Sequence, residues 1–234
     1  MYFDMTYLIL VLPFVLLSMW ASANVKSTYA RYGRIFNRRG LTGFEAARRV
    51  LDANGLGNVR INCIAGNLTD HYDPATNVVN LSQDVYSSAS IAAVGVACHE
   101  VGHAIQHATD YTPIRIRSAI VPITNFGSKL SVPLIIVGFL LCGLSNTFIY
   151  VSYIGIALFG LSAVFQFITL PTEFNASSRA LKSMGEMNLL AEDELKGAKK
   201  VLTAAALTYV AALAVTLMQL LRFIILANNR SRRN

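Results

Sequence analysis

Two kinds of stretch alternate along the chain. Residues 5–23, 119–144, 147–170 and 201–227 are long apolar runs, and crossing a bilayer as a helix takes about 20 such residues. The run at 147–170 carries no charge, whereas 119–144 contains Asn125, Lys129, Pro122 and Pro133, and 201–227 contains Arg222. The second and third runs are joined only by Ser145-Asn146, so they predict a membrane hairpin that returns the chain to the side it left. Gly138, Gly143, Gly155 and Gly160 are small positions for close helix contact within it.

Shorter periods lie between the runs. Residues 42–55 open with Thr42-Gly43-Phe44-Glu45, a capping box, and place Phe44, Ala47, Val50 and Leu51 on one helical face. Over residues 59–81 the period changes to alternation. Val59, Ile61 and Cys63 are followed by the turn residues 73–77 and then by Val78, Val79 and Leu81, which predicts two or three short strands. Residues 88–109 read as one helix, small and apolar before its histidines. Residues 186–200 are charged and predict a solvated helix start.

Composition sharpens this picture. Hydrophobic residues make up 54% and charged residues only 14% of the 234 residues, well below the quarter or so of a soluble protein. The chain therefore reads as a mainly α, integral membrane helical protein of about four transmembrane helices. The net charge of +7 does not point to nucleic acid, because the basic residues gather at the ends of apolar runs; the partner they fit is the lipid bilayer. Ala21-Ser22-Ala23 resembles a signal cleavage site, but no Lys or Arg precedes the apolar core, so an uncleaved first helix is expected. Ten Lys/Arg lie in residues 24–118 and five in 171–200, against three beyond residue 227. By the positive-inside rule the loops are expected in the cytoplasm. Cys63, Cys98 and Cys142 contain no CxxC pair and are read as packing residues.

The segments follow: residues 1–24, a first transmembrane helix; 25–118, a cytoplasmic region; 119–170, the hairpin; 171–200, a helix and charged segment; 201–234, a last transmembrane helix and basic tail.

The chemistry centres on His99-Glu100-Val101-Gly102-His103. Four residues is slightly more than one helical turn, so His99 and His103 project from one face and can grip one Zn²⁺. Glu100 lies beside the metal as a candidate general base. His107 continues the stripe one turn further on, as a buried or outer residue. Position 109, where a metzincin needs its third histidine, is Thr109, which excludes that family. Glu173 follows the hairpin, two residues after Pro171, which suits the first turn of a new helix. Its carboxylate either complements a helix dipole or supplies a third ligand, since the hairpin returns it to the side of residues 24–118. His71 and Tyr72, in Asp70-His71-Tyr72-Asp73-Pro74, are either turn residues or donors near an oxyanion.

HEVGHAIQ, preceded by LTDHYDP and followed after the hairpin by LPTEFNASSRA and the late ALTYVAAL run, resembles the YugP-type neutral zinc metallopeptidases of bacterial membranes, over nearly the whole chain. The resemblance places the protein near the gluzincins and implies a small α+β zincin-like catalytic region. It implies Zn²⁺ held by His99, His103 and Glu173, Glu100 as base, and peptide or membrane-protein substrates. Gluzincins often carry an aspartate four residues after the ligand glutamate, orienting a zinc-bound imidazole. Here that position is Ser177, with Asn175 nearby; neither adds negative charge. The alternative is a membrane-anchored scaffold with a structural zinc, closed by His107 or His71 as fourth ligand. A zinc transporter would need ionisable residues inside the spans, and the last three runs offer only Lys129 and Arg222.

Overall fold

The structure, a computed structural model, describes residues 5–231. Its elements are α1 (Leu12–Tyr32), entered through a π-helical turn at Tyr7–Val11, α2 (Gly43–Ala53), β1 (Arg60–Ile64), β2 (His71–Asp73), β3 (Val78–Ser82), α3 (Gln83–Ser87), α4 (Ile91–Ala108), α5 (Thr112–Leu141), α6 (Ile149–Glu186) and α7 (Glu192–Ser231). They pack as two units. One combines residues up to Trp20, Ile116–Leu170 and the chain from Tyr209 onward; the other combines Ala21–Arg115 with Pro171–Thr208.

The first unit is apolar and turned inside out. Phe126, Leu140 and Phe167 are each at least 67% exposed, an outward apolar surface that suits lipid rather than water. Its small core joins Ile135, Ile149, Ile156 and Phe223. Gly138 lies against the backbone of Ser152, and Gly155 against that of Ser131, so a side chain at either would collide with the facing helix. Gly143 and Gly160 meet no facing helix. Two of the four small positions thus close the hairpin. Four helices, Tyr7–Tyr32, Thr112–Leu141, Asn146–Glu186 and Glu192–Arg230, are long and apolar enough to cross a membrane. The chain is a mainly α membrane protein with a small α+β region.

The second unit holds that α+β region. Thr42 accepts from the Glu45 N–H while the Glu45 carboxylate accepts from the Thr42 N–H. This reciprocal cap starts α2, which buries Ala46, Ala47, Val50 and Leu51. The strands form one sheet in the order β1-β3-β2, with β1 parallel and β2 antiparallel to β3. Central β3 buries Val79 and Leu81 in the core shared with α2, α3 and α4, and Val78 is buried as well. The turn into β3 is tied by Asp73, which accepts from the Ala75 N–H and the Thr76 hydroxyl, and Asn77 takes φ +56.

Three expectations change. Pro171 does not begin a helix but lies inside α6; it removes one backbone donor, and the helix continues through it. Residues 192–200 of the charged stretch and the last apolar run form one helix, α7, with no break at residue 200, whereas Glu186 ends α6. Cys63 is exposed, whereas Cys98 and Cys142 are buried; a three-stranded sheet covered on one face leaves alternate residues of β1 outside. Burial pushes the Cys98 thiol up to about 12, so it stays neutral. Of the basic tail, residues 232–234 lie outside the described residues.

One close approach sets the unit's geometry. A Cβ on Gly102 of α4 would lie 2.5 Å from the Ala176 carbonyl oxygen of α6 and 3.1 Å from its Cα. Backbone cannot yield as a side chain tip would. Gly102→Ala is therefore expected to cost about 1–3 kcal/mol, read as a lower melting temperature. Gly95→Ala, whose Cβ would come no closer than 3.4 Å to Ala198 Cβ and 3.7 Å to its backbone, is expected to melt close to the parent.

Candidate metal centre

α4 starts where Ser90 accepts from the Ala93 N–H, and it stays helical through a run of alanines and small residues with high helix propensity or little bulk. At its centre the rings of His99 and His103 lie 4.8 Å apart, edge to face. Glu173 on α6 comes to meet them, because Gly102 and Ala176 let the two helices touch between these residues. Its Oε2 lies 3.3 Å from His99 Nε2 and 3.5 Å from His103 Nε2. One donor atom from each of the three side chains falls within 4.8 Å of the others.

These separations fit one small cation. Zinc at about 2.0–2.1 Å from N and O donors in a tetrahedron puts neighbouring donors about 3.3–3.4 Å apart, the spacing between Glu173 and each imidazole. The donor set, two neutral nitrogens and one carboxylate oxygen, is one that zinc favours. The buried Glu173, only 3% exposed, would otherwise be costly to hold so close to two rings that water hardly reaches. Burial pulls the His103 imidazole down, but the hydrogen bond to Glu173 and the Glu100 and Glu173 carboxylates outweigh this and leave it above its ordinary value.

The far side of each imidazole is also held. His99 Nδ1 lies 3.1 Å from Ser177 Oγ, and His103 Nδ1 lies 3.0 Å from Gln106 Oε1. The second contact can be traced outward. Arg179 Nε, which can only donate, reaches Asn175 Oδ1 at 2.8 Å. The atom of Asn175 facing Gln106 is that same oxygen. The Gln106 amide nitrogen therefore donates, to Asn175 Oδ1 at 3.0 Å and to the Thr172 carbonyl at 2.7 Å. That leaves the Gln106 oxygen for His103, whose Nδ1 carries a proton; in the neutral ring Nε2 is then the nitrogen with a lone pair for a cation. Asn175 thus supports a glutamine rather than an imidazole. Gln106, wholly buried, was missed from the sequence; its one signal is its place three residues after His103, on the same helical face.

Glu100 sits between the two histidines, 8% exposed. Its Oε2 accepts from the Tyr72 backbone N–H at 3.0 Å. The remaining residues singled out from the sequence lie outside the three-donor cluster. His71 is exposed, with Nδ1 2.8 Å from the Thr69 carbonyl and Nε2 3.2 Å from the Asn80 amide. The Tyr72 phenol donates to Asn77 at 2.8 Å, and the Tyr72 ring faces that of His107 at 5.5 Å. Tyr72 and His107 together line a pocket of about 260 Å³ with Ala104 and Leu56.

Two substitutions test this geometry through metal affinity. Gln106→Leu is expected to weaken zinc binding by about 10–100-fold, the usual effect of losing an imidazole's outer partner. Ser177→Asp restores a carboxylate beside His99 and is expected to tighten it by about tenfold. Competition against a chelating dye measures both.

Comparison with known proteins points to the same metal. Residues 7–228 match the model of a family described as "Putative neutral zinc metallopeptidase". The chain is 45% identical over 225 residues to "Putative membrane protease YugP" of Bacillus subtilis (strain 168), covering 96% of this chain and 98% of that one. No solved structure matches. With its family matched over almost its whole length and three zinc-type donors gathered at one point, this chain belongs to the neutral zinc metallopeptidase family.

Proposed function

We propose that the protein is a membrane-bound zinc peptidase that hydrolyses peptide bonds, with His99, His103 and Glu173 as metal ligands and Glu100 as general base. The observation that carries this reading is the number of donors in the cluster. Among the described residues three side chains, and no fourth, offer donors to one point. A structural site would be closed by another ligand, and neither His107 nor His71, the available histidines, belongs to the group. A carboxylate between the two histidines has no use in a closed structural site.

A bound zinc would supply Lewis acidity, lowering the pKa of water from 15.7 to about 7 and polarising a carbonyl. The chain's own residues then divide the work. The Nδ1 contacts with Ser177 and Gln106 hold the two imidazoles in place, so that each Nε2 would be the nitrogen offered to a bound ion. The Tyr72 N–H fixes one oxygen of Glu100, which leaves Oε1 to take a proton from the attacking water and pass it to the leaving amine.

The same contact bears on substrate binding. β2 is an edge strand, and edge strands can hold an extended peptide by main-chain pairing. Its Tyr72 N–H is already committed to Glu100. In an antiparallel strand the carbonyl of that residue points to the same edge, so it is the group left to accept from a substrate N–H. Peptides and membrane-protein segments suit this site, since Glu173 follows Leu170, the last residue of an apolar run, by three positions. The cytoplasmic side is the proposed location, from the excess of Lys/Arg in the loops.

Glu100→Gln keeps the shape and the oxygen facing Tyr72 but removes the base. It is expected to retain zinc and to lose peptide cleavage by about 10²–10⁴-fold. Glu173→Gln is expected to lose zinc as well. Zinc content and cleavage of a casein or peptide substrate by detergent-purified protein measure both; full cleavage by the Glu100 variant contradicts the assignment.

A further inference from the structure

A second polar feature lies away from the metal cluster, within the same unit. α1 and α7 flank a pocket of about 270 Å³ with Arg31 and Lys200 on its walls. Asn24, Thr28 and Thr203 add polar groups, and Leu207 closes the apolar end. No acidic residue lines it. Arg31 and Lys200 are both exposed, and neither is in an ion pair among the described residues. The Arg31 guanidinium rests 5.6 Å from the ring of Tyr32. That ring in turn lies against α7 at Gly197, where a Cβ would come within 2.8 Å of it. The two walls are therefore held together by a close contact, and the pocket does not depend on side chains meeting by chance.

Its depth along the helices is set by the sequence. α1 leaves its apolar run at residue 23, and Asn24 is the first polar lining residue; α7 enters its apolar run at residue 201. Arg31 lies seven residues beyond Asn24, and Lys200 seven residues before Leu207. Both displacements are about 10 Å along a helix, in the direction away from the apolar run. The headgroup layer is about 5–8 Å deep on each side of the hydrocarbon. Arg and Lys side chains extend several ångströms and reach toward the interface with their charges. Trp20, 56% exposed, precedes Asn24 by one turn, and Tyr209, 40% exposed, follows Leu207. Exposed aromatics of this kind mark the boundary between hydrocarbon and headgroups, here within one turn of Asn24 and of Leu207.

We propose that this pocket binds the phosphate of an anionic phospholipid. Two cations without acidic partners supply the charge, hydroxyl and amide groups supply hydrogen bonds, and the Leu207 end faces the acyl chains. Basic pockets between membrane helices are suited to such headgroups. The site is independent of the metal cluster and of the peptidase reading, and it assigns Arg31 and Lys200 a role that catalysis does not use. Inorganic phosphate shares the chemistry but lacks the chains that would meet the apolar end.

The test uses full-length protein in a mild detergent, titrated with dioctanoyl phosphatidylglycerol and read by native mass spectrometry. Dioctanoyl phosphatidylcholine and inorganic phosphate are parallel arms. One retained phosphatidylglycerol per chain is expected, with phosphatidylcholine retained at least about tenfold more weakly and no displacement by an equal concentration of phosphate. Replacing both cations, Arg31→Gln with Lys200→Gln, is expected to weaken retention by about thirtyfold, the effect of losing two interfacial charges. Arg31→Lys with Lys200→Arg keeps the charge and is expected to keep the lipid. Lys26→Gln with Lys199→Gln removes the same charge from outside the pocket and is expected to bind as the parent does. An equal loss in that last variant overturns the proposal, as does equal retention of phosphatidylcholine or displacement by phosphate.

Discussion

A carboxylate buried between two imidazoles is the constraint on which the α+β unit depends. Glu173 is 3% exposed and faces His99 and His103 at 3.3 and 3.5 Å. Three ionisable groups so placed are costly unless each is satisfied, and the surrounding packing does satisfy them. The Gly102–Ala176 approach brings α4 onto α6. The Gln106 side chain then bridges the same two helices, from His103 to the Thr172 carbonyl and Asn175. Helix packing and ligand orientation are thus one set of contacts. A change in either disturbs the other.

The sheet contributes at a single point. β2 lies at the edge, and its Tyr72 N–H reaches Glu100. A buried carboxylate with one oxygen fixed by a backbone donor loses conformational freedom without losing its capacity to accept a proton at the other. Register matters here. β2 pairs Tyr72 with Val79, and a slip of one residue would turn the Tyr72 N–H inward and leave Glu100 without this donor. The tight Asp73–Asn77 turn holds that register.

Much of this is legible in the sequence, for physical reasons that differ by element. The HEVGH spacing is read directly from helix geometry, and the Thr42–Glu45 cap from its reciprocal hydrogen bonds. Glu173 is legible only because the apolar hairpin returns the chain and the flanking motif resembles a known family. Gln106 carries no comparable signal: a glutamine in a helix is ordinarily solvated, and its role depends on Asn175 and Thr172, residues far away in sequence. Pro171 misleads because proline suits a first turn and is also tolerated inside a long membrane helix. Cys63 misleads because alternation in a short strand does not say which face is covered. The boundary within α7 misleads because a change from charged to apolar composition does not break a helix.

The central claim is a three-ligand metal site with an open fourth position. Zinc K-edge X-ray absorption of the purified, zinc-loaded chain examines it most directly. Two imidazoles and two oxygen scatterers at about 2.0–2.1 Å are the expected first shell, one oxygen from Glu173 and one from solvent. A shell of three imidazoles, or one unchanged when Glu173 is replaced by Gln, would contradict it.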